Sequence, residues 1–213
     1  MSESTQAHWD KVYGSKAVSE VSWYEPAPER SLALIHATGI ARSDPVIDVG
    51  GGASYLVDEL MQAGYGDVTV LDISGAVLDS LRQRLGNRAS AASFLQQDIT
   101  QFRPTRRYSL WHDRAVFHFL IAAEDRRRYL DAVRAGLRPQ GHLILATFGP
   151  DGPERCSGLP VMRYDARSLA AELGNEFQPV ESFLAVHRTP WKAEQQFLYS
   201  RFRRLSDSHA IAP

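Results

Sequence analysis

The chain has 213 residues, about the size of one α/β domain, and its composition of 44% hydrophobic and 23% charged residues is typical of a globular protein. Its 24 lysines and arginines nearly balance 25 aspartates and glutamates, which leaves no overall electrostatic footprint for a duplex nucleic acid or an anionic membrane. The single cysteine, Cys156, excludes an intrachain disulfide and a cysteine-built metal site.

The polar N-terminus lacks the apolar core of a signal peptide, and no apolar run approaches the ~20 residues that span a bilayer. We therefore expect a cytoplasmic protein with no membrane or nucleic-acid partner. Arg126, Arg127, Arg128 and Arg134 form either a local basic patch or, as we favour, a solvated helix face. The seven histidines show no metal-ligand spacing with carboxylates, so no metal is expected.

Strands and helices alternate from residue 45 onwards. Predicted strands cover 45–49, 68–72, 93–95, 108–111 and 142–147. Predicted helices cover 55–62 and 129–137, with a further helix that has Val77, Leu78, Leu81 and Leu85 on one face. A turn at 139–141 precedes the fifth strand. This alternation predicts βαβ units and a mostly parallel, doubly wound sheet.

After Phe148 the pattern changes. A loop at 149–153 leads to a helix over 165–173, for which Asp165 is the expected N-cap. Two late strands, around 179–186 and 195–202, predict a terminal hairpin on the sheet edge. We therefore expect a single domain over residues 1–205, followed by a mobile tail over 206–213.

The strongest functional signal is a glycine loop between the first strand and the following helix. It runs from Asp48 through Gly50, Gly51 and Gly52 to Ser54. Glycines permit a sharp turn and let a ligand approach the main-chain N–H groups. Tyr55 stands where a dinucleotide fingerprint needs its last glycine, which counts against a nicotinamide cofactor. The Asp48 carboxylate suits a ligand with a cationic amino group, such as the methionine part of S-adenosylmethionine.

Acidic residues also end the next two strands. Asp72 lies 20 residues after Gly52, where a carboxylate can accept hydrogen bonds from ribose hydroxyls. Asp98 can accept a hydrogen bond from an adenine amino group while Ile99 packs on the ring. The alternatives are a helix-capping role for Asp72 and an ordinary loop position for Asp98.

In this combination and order the chain resembles the class I S-adenosylmethionine-dependent methyltransferases, from about Trp9 to Phe202. The resemblance rests on the segments 48–54, 71–74, 97–99 and 137–142; Ser54 departs from it, because the family usually has a glycine there. It implies a seven-stranded sheet with an antiparallel last strand. It also implies that Asp48 and the glycines hold the methionine end, Asp72 with Ile73 the ribose, and Asp98 with Ile99 the adenine.

Ligands of open α/β sheets bind beyond the carboxyl ends of the strands, which places Asp113 and His118 near the transferred methyl group. His118 is a candidate general base, and Asp113 a candidate for catalysis and cofactor contact. The alternative is that His118 only packs. Methyl transfer needs little protein chemistry beyond alignment and exclusion of water.

The N-terminal segment, about residues 1–30, is rich in aromatic residues. Trp9, Tyr13, Trp23 and Tyr24 predict either a lid whose rings stabilise the sulfonium by cation–π attraction, or a staple that packs the segment on the core. Trp191, beside His187 and Arg188, is a weaker candidate for the wall of an acceptor pocket.

The sequence thus predicts methyl transfer from S-adenosylmethionine, which leaves S-adenosylhomocysteine, to an acceptor that we expect to be a small molecule. A protein lysine side chain is the alternative acceptor. A non-catalytic S-adenosylmethionine-binding module and an NAD(P)-dependent oxidoreductase are the alternatives from other classes. The oligomeric state is not determined by the sequence.

Overall fold

The structure, a computed structural model, describes residues 3–15 and 17–206. The predicted tail therefore lies, apart from Ser206, outside the described residues. The described strands that form the main sheet are β1 (Val46–Val49), β2 (Val68–Asp72), β3 (Ala92–Gln96), β4 (Tyr108–Arg114), β5 (Leu137–Phe148), β6 (Phe177–Arg188) and β7 (Glu194–Arg204). A separate short hairpin pairs Arg155–Cys156 with Leu159–Pro160.

The seven strands lie in the order β3-β2-β1-β4-β5-β7-β6. Strands β1 to β5 run parallel, whereas β7 is antiparallel to both β5 and β6. The predicted doubly wound sheet with an antiparallel last strand is confirmed. The hairpin of β6 and β7 extends one edge of the sheet, and both strands are longer than the sequence pattern indicated.

Six helices are described: α1 (Glu3–Ser15), α2 (Glu29–His36), α3 (Leu56–Gln62), α4 (Gly75–Leu85), α5 (Ala123–Gly136) and α6 (Ala166–Leu173). The sequence analysis did not predict α1 or α2. Asp165 caps α6 as expected, since its Oδ1 accepts a hydrogen bond from Ser168 N at 2.7 Å. Among residues 3–15 and 17–206, no helix combines the length and apolar character needed to cross a membrane.

Apolar residues fill both faces of the sheet. Trp111, Tyr129 and Leu169 belong to the core on one face, and Leu60 and Leu81 to the core on the other. All four residues of β1 are buried, as expected for a strand in the middle of a parallel sheet that helices cover on both sides. This double burial explains why β1 appears in the sequence as a short, mostly apolar run, with Asp48 as its polar residue.

Two predicted boundaries are wrong. Helix α5 begins at Ala123, well before the predicted start at Tyr129. The prediction missed the first turns because they are polar and lack an apolar period. The predicted turn at 139–141 lies inside β5, where the pairing with β4 shifts register between Tyr108 and Leu110. Gln140, with φ of 64°, marks the irregular point in the strand.

The four arginines of the predicted basic patch lie on α5 and are paired. Arg126 contacts Glu172, and Arg134 contacts Asp131 and Glu176. The remaining ion pairs of this face are Arg127 with Glu124 and Asp131, and Arg128 with Glu124. Because acidic neighbours balance these charges, the arrangement favours a solvated helix face.

Candidate active site

A cleft of about 650 Å³, including its open mouth, lies at the carboxyl ends of β1, β2 and β4 and beside the loop that follows β3. Its described lining residues are Trp9, Tyr13, Trp23, Val49, Gly50, Leu71, Asp72, Ile73, Gln97, Ile99, Arg114, Ala115, Val116, Phe119 and Cys156. The fold therefore brings the predicted glycine loop, the end of β2 and the aromatic N-terminal segment to one place.

The glycine loop is tightly packed against its surroundings. Gly50 has φ of +71°, and a Cβ atom there would lie 2.1 Å from the Val116 side chain. A Cβ on Gly51 would lie 2.2 Å from Oδ2 of Asp48, and one on Gly52 would lie 2.3 Å from the Val77 side chain. The backbone conformation at Gly50 and the close contacts at all three positions require glycine.

Asp48 is buried beneath this loop and is held by a histidine that the sequence analysis missed. Its Oδ1 lies 2.7 Å from Nδ1 of His112, whose Nε2 lies 2.9 Å from the Ser31 hydroxyl oxygen. A carboxylate only accepts, so Nδ1–H donates to Asp48 and, in the neutral ring, Nε2 accepts from Ser31. The Asp48 Oδ2 atom is buried and has no hydrogen-bond partner in the described part of the chain. A buried, half-satisfied carboxylate suits a ligand that brings a cationic amino group.

Asp72 lines the cleft at the end of β2. Its Oδ2 accepts a hydrogen bond from Gly52 N at 3.2 Å, and its Oδ1 accepts one from Ser74 N at 3.0 Å. Burial is the main cause that raises the pKa of Asp72 to about 6, and the nearby Asp48 carboxylate contributes. Two N–H donors fix the orientation of the carboxyl group, which leaves its remaining lone pairs for a ligand hydroxyl.

The predicted adenine segment, residues 97–99, lies beside the cleft, but Asp98 has a different role from the one predicted. Gln97 and Ile99 line the cleft. The Asp98 side chain instead closes its own turn, because its Oδ1 accepts hydrogen bonds from the Thr100 N–H and hydroxyl, each at 2.8 Å. This geometry matches the loop alternative for Asp98, and it leaves Gln97 as the polar side chain of this segment in the cleft.

Aromatic rings from the N-terminal segment cover the cleft. The ring centroids of Trp9 lie 5.7 Å from Trp23 and 5.1 Å from Phe119, and Tyr13 lies 6.1 Å from Trp23. The segment is tied to the start of α4 through Asp10, whose Oδ1 accepts a 2.6 Å hydrogen bond from the hydroxyl of the N-cap residue Ser74. The rings pack on one another and also line the cleft, so both predicted alternatives, lid and staple, describe part of this arrangement.

Arg114 is the cationic side chain in the described lining. Its guanidinium donates to the Trp23 carbonyl at 2.9 Å and to the Tyr199 hydroxyl at 3.1 Å, and it lies 3.1 Å from Oε1 of Glu25. His187 lies on the other side of Glu25, with its Nδ1 at 3.5 Å from the same oxygen. These contacts connect β4, the N-terminal segment and the β6–β7 hairpin around the half-buried Glu25.

Asp113 does not lie in the cleft. Its carboxylate is fully buried and points toward α5, where Oδ1 accepts from Val116 N at 2.9 Å and Oδ2 accepts from the Tyr129 hydroxyl at 2.8 Å. Burial raises its pKa to about 6. These contacts stabilise the turn that carries Val116 to the cleft and do not match the predicted catalytic or cofactor contact.

His118 is also an interior residue. It is fully buried between Phe119 and Phe148, with ring centroids 4.6 Å from each, and its Nδ1 accepts a hydrogen bond from Phe148 N at 3.2 Å. Burial, with a smaller effect of the Arg114 charge, lowers its pKa to about 3. A shielded and weakly basic ring outside the described lining favours the packing alternative over the predicted general base.

Two other predicted residues lie beside the cleft. The Ser54 hydroxyl accepts a hydrogen bond from Leu56 N at 3.0 Å, which supports the start of α3. Trp191 is 57% exposed and lines a neighbouring cavity. Cys156, from the short hairpin, lines both the cleft and that cavity and was not predicted. Among the described residues, no group of three or more His, Cys, Asp or Glu side chains is arranged to hold a metal.

Comparison with known proteins shows what the central part of the chain is similar to. Residues 46–141, a little under half of the chain, match the model of a methyltransferase domain family. The chain is 27% identical over 119 residues to the mouse (Mus musculus) eEF1A lysine and N-terminal methyltransferase. This alignment covers 55% of this chain and 17% of that protein. The chain thus spans only about a sixth of the length of that relative.

Solved structures share the fold over nearly the whole chain. One, from work on the conversion of a disulfide bond into a thioacetal group during echinomycin biosynthesis, has a TM-score of 0.77 at 20% identity and covers 96% of this chain and 94% of its own. The 1,6-didemethyltoxoflavin-N1-methyltransferase of Burkholderia thailandensis, with bound S-adenosylhomocysteine, has a TM-score of 0.67 at 22% identity. The match covers 95% of this chain and 85% of that one. These comparisons agree with the predicted resemblance: the matched family model is of a methyltransferase domain, and the second solved structure holds S-adenosylhomocysteine.

Proposed function

We propose that the protein binds S-adenosylmethionine in the cleft and transfers its methyl group to a small-molecule acceptor. The observation that carries this proposal is the meeting of Gly50, Asp72 and Ile99 in one cleft, beside a buried Asp48 carboxylate with an unpaired oxygen. We assign the methionine end to Asp48 and the glycine loop, the ribose to Asp72 with Ile73, and the adenine to Gln97 and Ile99.

When bound, S-adenosylmethionine supplies a sulfonium methyl carbon that an acceptor lone pair can attack while the carbon–sulfur electron pair stays on sulfur, leaving S-adenosylhomocysteine. The chain's own residues orient the reactants and exclude water. Trp9, Tyr13 and Trp23 close the cleft from one side with apolar ring surface. Such alignment and desolvation can supply a large part of the rate increase.

The described lining supplies no evident general base beside the acceptor position. Burial raises the pKa of Tyr13 well above its usual value and also raises the pKa of Cys156, so both groups keep their protons at neutral pH. Arg114 is cationic, and Asp72 is assigned to the ribose. The acceptor's proton therefore passes to solvent, which suits an acceptor atom that is a nucleophile without prior deprotonation by the enzyme.

A small acceptor is supported by the two solved structures that match nearly the full chain, which concern echinomycin and 1,6-didemethyltoxoflavin. A protein side chain is the second candidate, supported by the curated relatives named as eEF1A methyltransferases. Those relatives match about half of this chain and only a small part of their own length.

Incubation with methyl-tritiated S-adenosylmethionine and separate pools of cellular metabolites and proteins tests the proposal. We expect label to move into the metabolite pool with an equal amount of S-adenosylhomocysteine formed. Label in the protein pool alone would establish the second candidate. Binding of the donor without transfer to either pool would instead match a non-catalytic binding module.

A further inference from the structure

A second cavity adjoins the cleft and shares the side chains of Trp23 and Cys156 with it. It encloses about 590 Å³, including its open mouth, and lies between the N-terminal segment, the short hairpin and the β6–β7 connection. A molecule seated there would be next to the donor cleft, with Trp23 and Cys156 as the walls common to both.

The chemistry of this cavity differs from that of the cleft. Gln195 lines it with 8% of its surface exposed, and the amide oxygen of Gln195 has no hydrogen-bond partner in the described part of the chain. An unsatisfied buried carbonyl oxygen is costly, which favours a ligand that donates an N–H or O–H. Trp191 and Trp23 add two indole surfaces, of which Trp191 is 57% exposed. Exposed indole surface at a cavity suits a flat ring that can stack on it.

The charge of the cavity selects against a cationic acceptor. Arg155 is the charged side chain in its described lining, which includes no carboxylate. A separate cavity, lined by Trp9, Ile121 and Asp125 among others, carries a carboxylate instead. A lysine ammonium group would be repelled by Arg155 in the first cavity and attracted by Asp125 in the second.

We propose that the cavity lined by Trp191 and Gln195 holds the methyl acceptor, and that this acceptor is a planar aromatic or heteroaromatic molecule, neutral or anionic, that donates an N–H or O–H to Gln195. This inference rests on the proposed function. A lone pair on the acceptor forms the new bond to the methyl carbon, the carbon–sulfur bond breaks with its electrons left on sulfur, and the acceptor's proton leaves to solvent.

The test uses the full chain saturated with S-adenosylhomocysteine and measures ring binding by calorimetry in every chain. In the chains that keep Trp191, its indole N–H signal is also followed by NMR. The probes are 4-hydroxyquinoline and indole-3-carboxylate, which carry a donor, quinoline, which lacks one, and a lysine-containing peptide. The variants are Trp191→Ala and Gln195→Leu, with Ile121→Ala as the control in the cavity lined by Asp125. Calorimetric titration with S-adenosylhomocysteine accompanies each variant.

We expect at least one donor-bearing ring to bind saturably and about fivefold more tightly than quinoline. Gln195→Leu should abolish that preference, Trp191→Ala should weaken all the rings about tenfold, and Ile121→Ala should change neither. Affinity for S-adenosylhomocysteine should stay within about twofold in all three variants.

No shift of the Trp191 signal with any ring up to about 2 mM would overturn the inference, since such a Kd is too weak for a dedicated site. Tighter binding of the peptide, lost in Ile121→Ala and kept in Gln195→Leu, would move the acceptor site to the cavity lined by Asp125. If the wild-type chain fails to bind S-adenosylhomocysteine, the proposed function itself fails, and the titration shows this independently of the ring probes.

Discussion

Nδ1 of His112 lies 2.7 Å from Oδ1 of Asp48, and both side chains are buried. The two residues are paired neighbours in the register of β1 and β4, so the parallel sheet itself sets this contact. The pair fixes one oxygen of Asp48 and leaves the other without a partner in the described part of the chain. In our account, this geometry orients the carboxylate for the donor's amino group, which makes His112 a positioning residue.

Replacement of His112 by Phe should therefore weaken the binding of S-adenosylhomocysteine. A lost hydrogen bond to a buried charge is worth about 1.5–3 kcal/mol, so we expect the Kd to rise about tenfold or more. Ser31→Ala, which removes only the outer partner of the ring, should have a smaller effect. Calorimetry at neutral pH measures both variants, and an unchanged Kd in His112→Phe would contradict the positioning role.

Gly50→Ala should damage both stability and donor binding. The new Cβ would meet Val116 at 2.1 Å, in a backbone conformation of φ +71° that favours glycine. We expect the free energy of unfolding to fall by about 2 kcal/mol or more. Gly66→Ala is the matched control, since a Cβ there would have open space. Equal urea midpoints for the two variants would contradict the packing of the loop.

Tyr13 tests whether the N-terminal segment acts as a lid. Its ring lies against Trp9 and Trp23 in the cleft wall. Tyr13→Ala should speed the dissociation of S-adenosylhomocysteine about tenfold in stopped-flow experiments, because the cleft loses apolar cover. Tyr13→Phe keeps the ring and should dissociate at nearly the wild-type rate. A segment that only staples the core would leave both rates unchanged.

The buried His118 should appear in the pH dependence of stability. Its pKa is about 3 in the folded chain against an ordinary 6.5, so below pH 6.5 the unfolded chain binds a proton that the folded chain does not. The free energy of unfolding should thus fall with decreasing pH by about 1.4 kcal/mol per pH unit from this group. His118→Asn keeps an acceptor for Phe148 N but has no group that titrates in this range. It should remove that slope between pH 6 and pH 4, roughly the range in which His118 is protonated only in the unfolded chain.

Urea unfolding at several pH values measures this slope, and the exposed His36, replaced by Asn, serves as the control. A catalytic base at His118 would instead show as a changed pH profile of the methyl-transfer rate. That profile should be the same in His118→Asn and wild type.

The sequence was most informative where a local pattern decides the structure. The short apolar run of β1 followed by three glycines identified both the central strand and the loop. The start of α5 was missed because its first turns are polar: Arg127 and Arg128 face solvent, and no apolar period precedes Tyr129. The helices α1 and α2 went unpredicted for another reason: the packing of their aromatic and apolar residues depends on distant elements.

In the candidate site, too, the local motifs were predictable from the sequence, whereas contacts between distant residues were not. Successive residues of a strand point to opposite faces of a sheet, so Arg114 and Asp113 at the end of β4 have different neighbours. Arg114 lines the cleft, whereas Asp113 accepts a hydrogen bond from Tyr129 of α5. Position at a strand end did not reveal which face each side chain occupies. His112 was missed because its partners, Asp48 and Ser31, come from elsewhere in the chain. The available signal was a histidine placed directly before the acidic residue at the end of a predicted strand.

The most direct test of the central claim is thermal unfolding with S-adenosylhomocysteine, NAD and NADP, for wild type, Asp72→Ala and the exposed control Asp79→Ala. A ligand that binds only the folded chain stabilises it by about 2.7 kcal/mol at a hundredfold excess over its Kd. We predict stabilisation by S-adenosylhomocysteine alone, kept in Asp79→Ala and lost in Asp72→Ala. Stabilisation by NAD or NADP, or none by S-adenosylhomocysteine, would contradict the account.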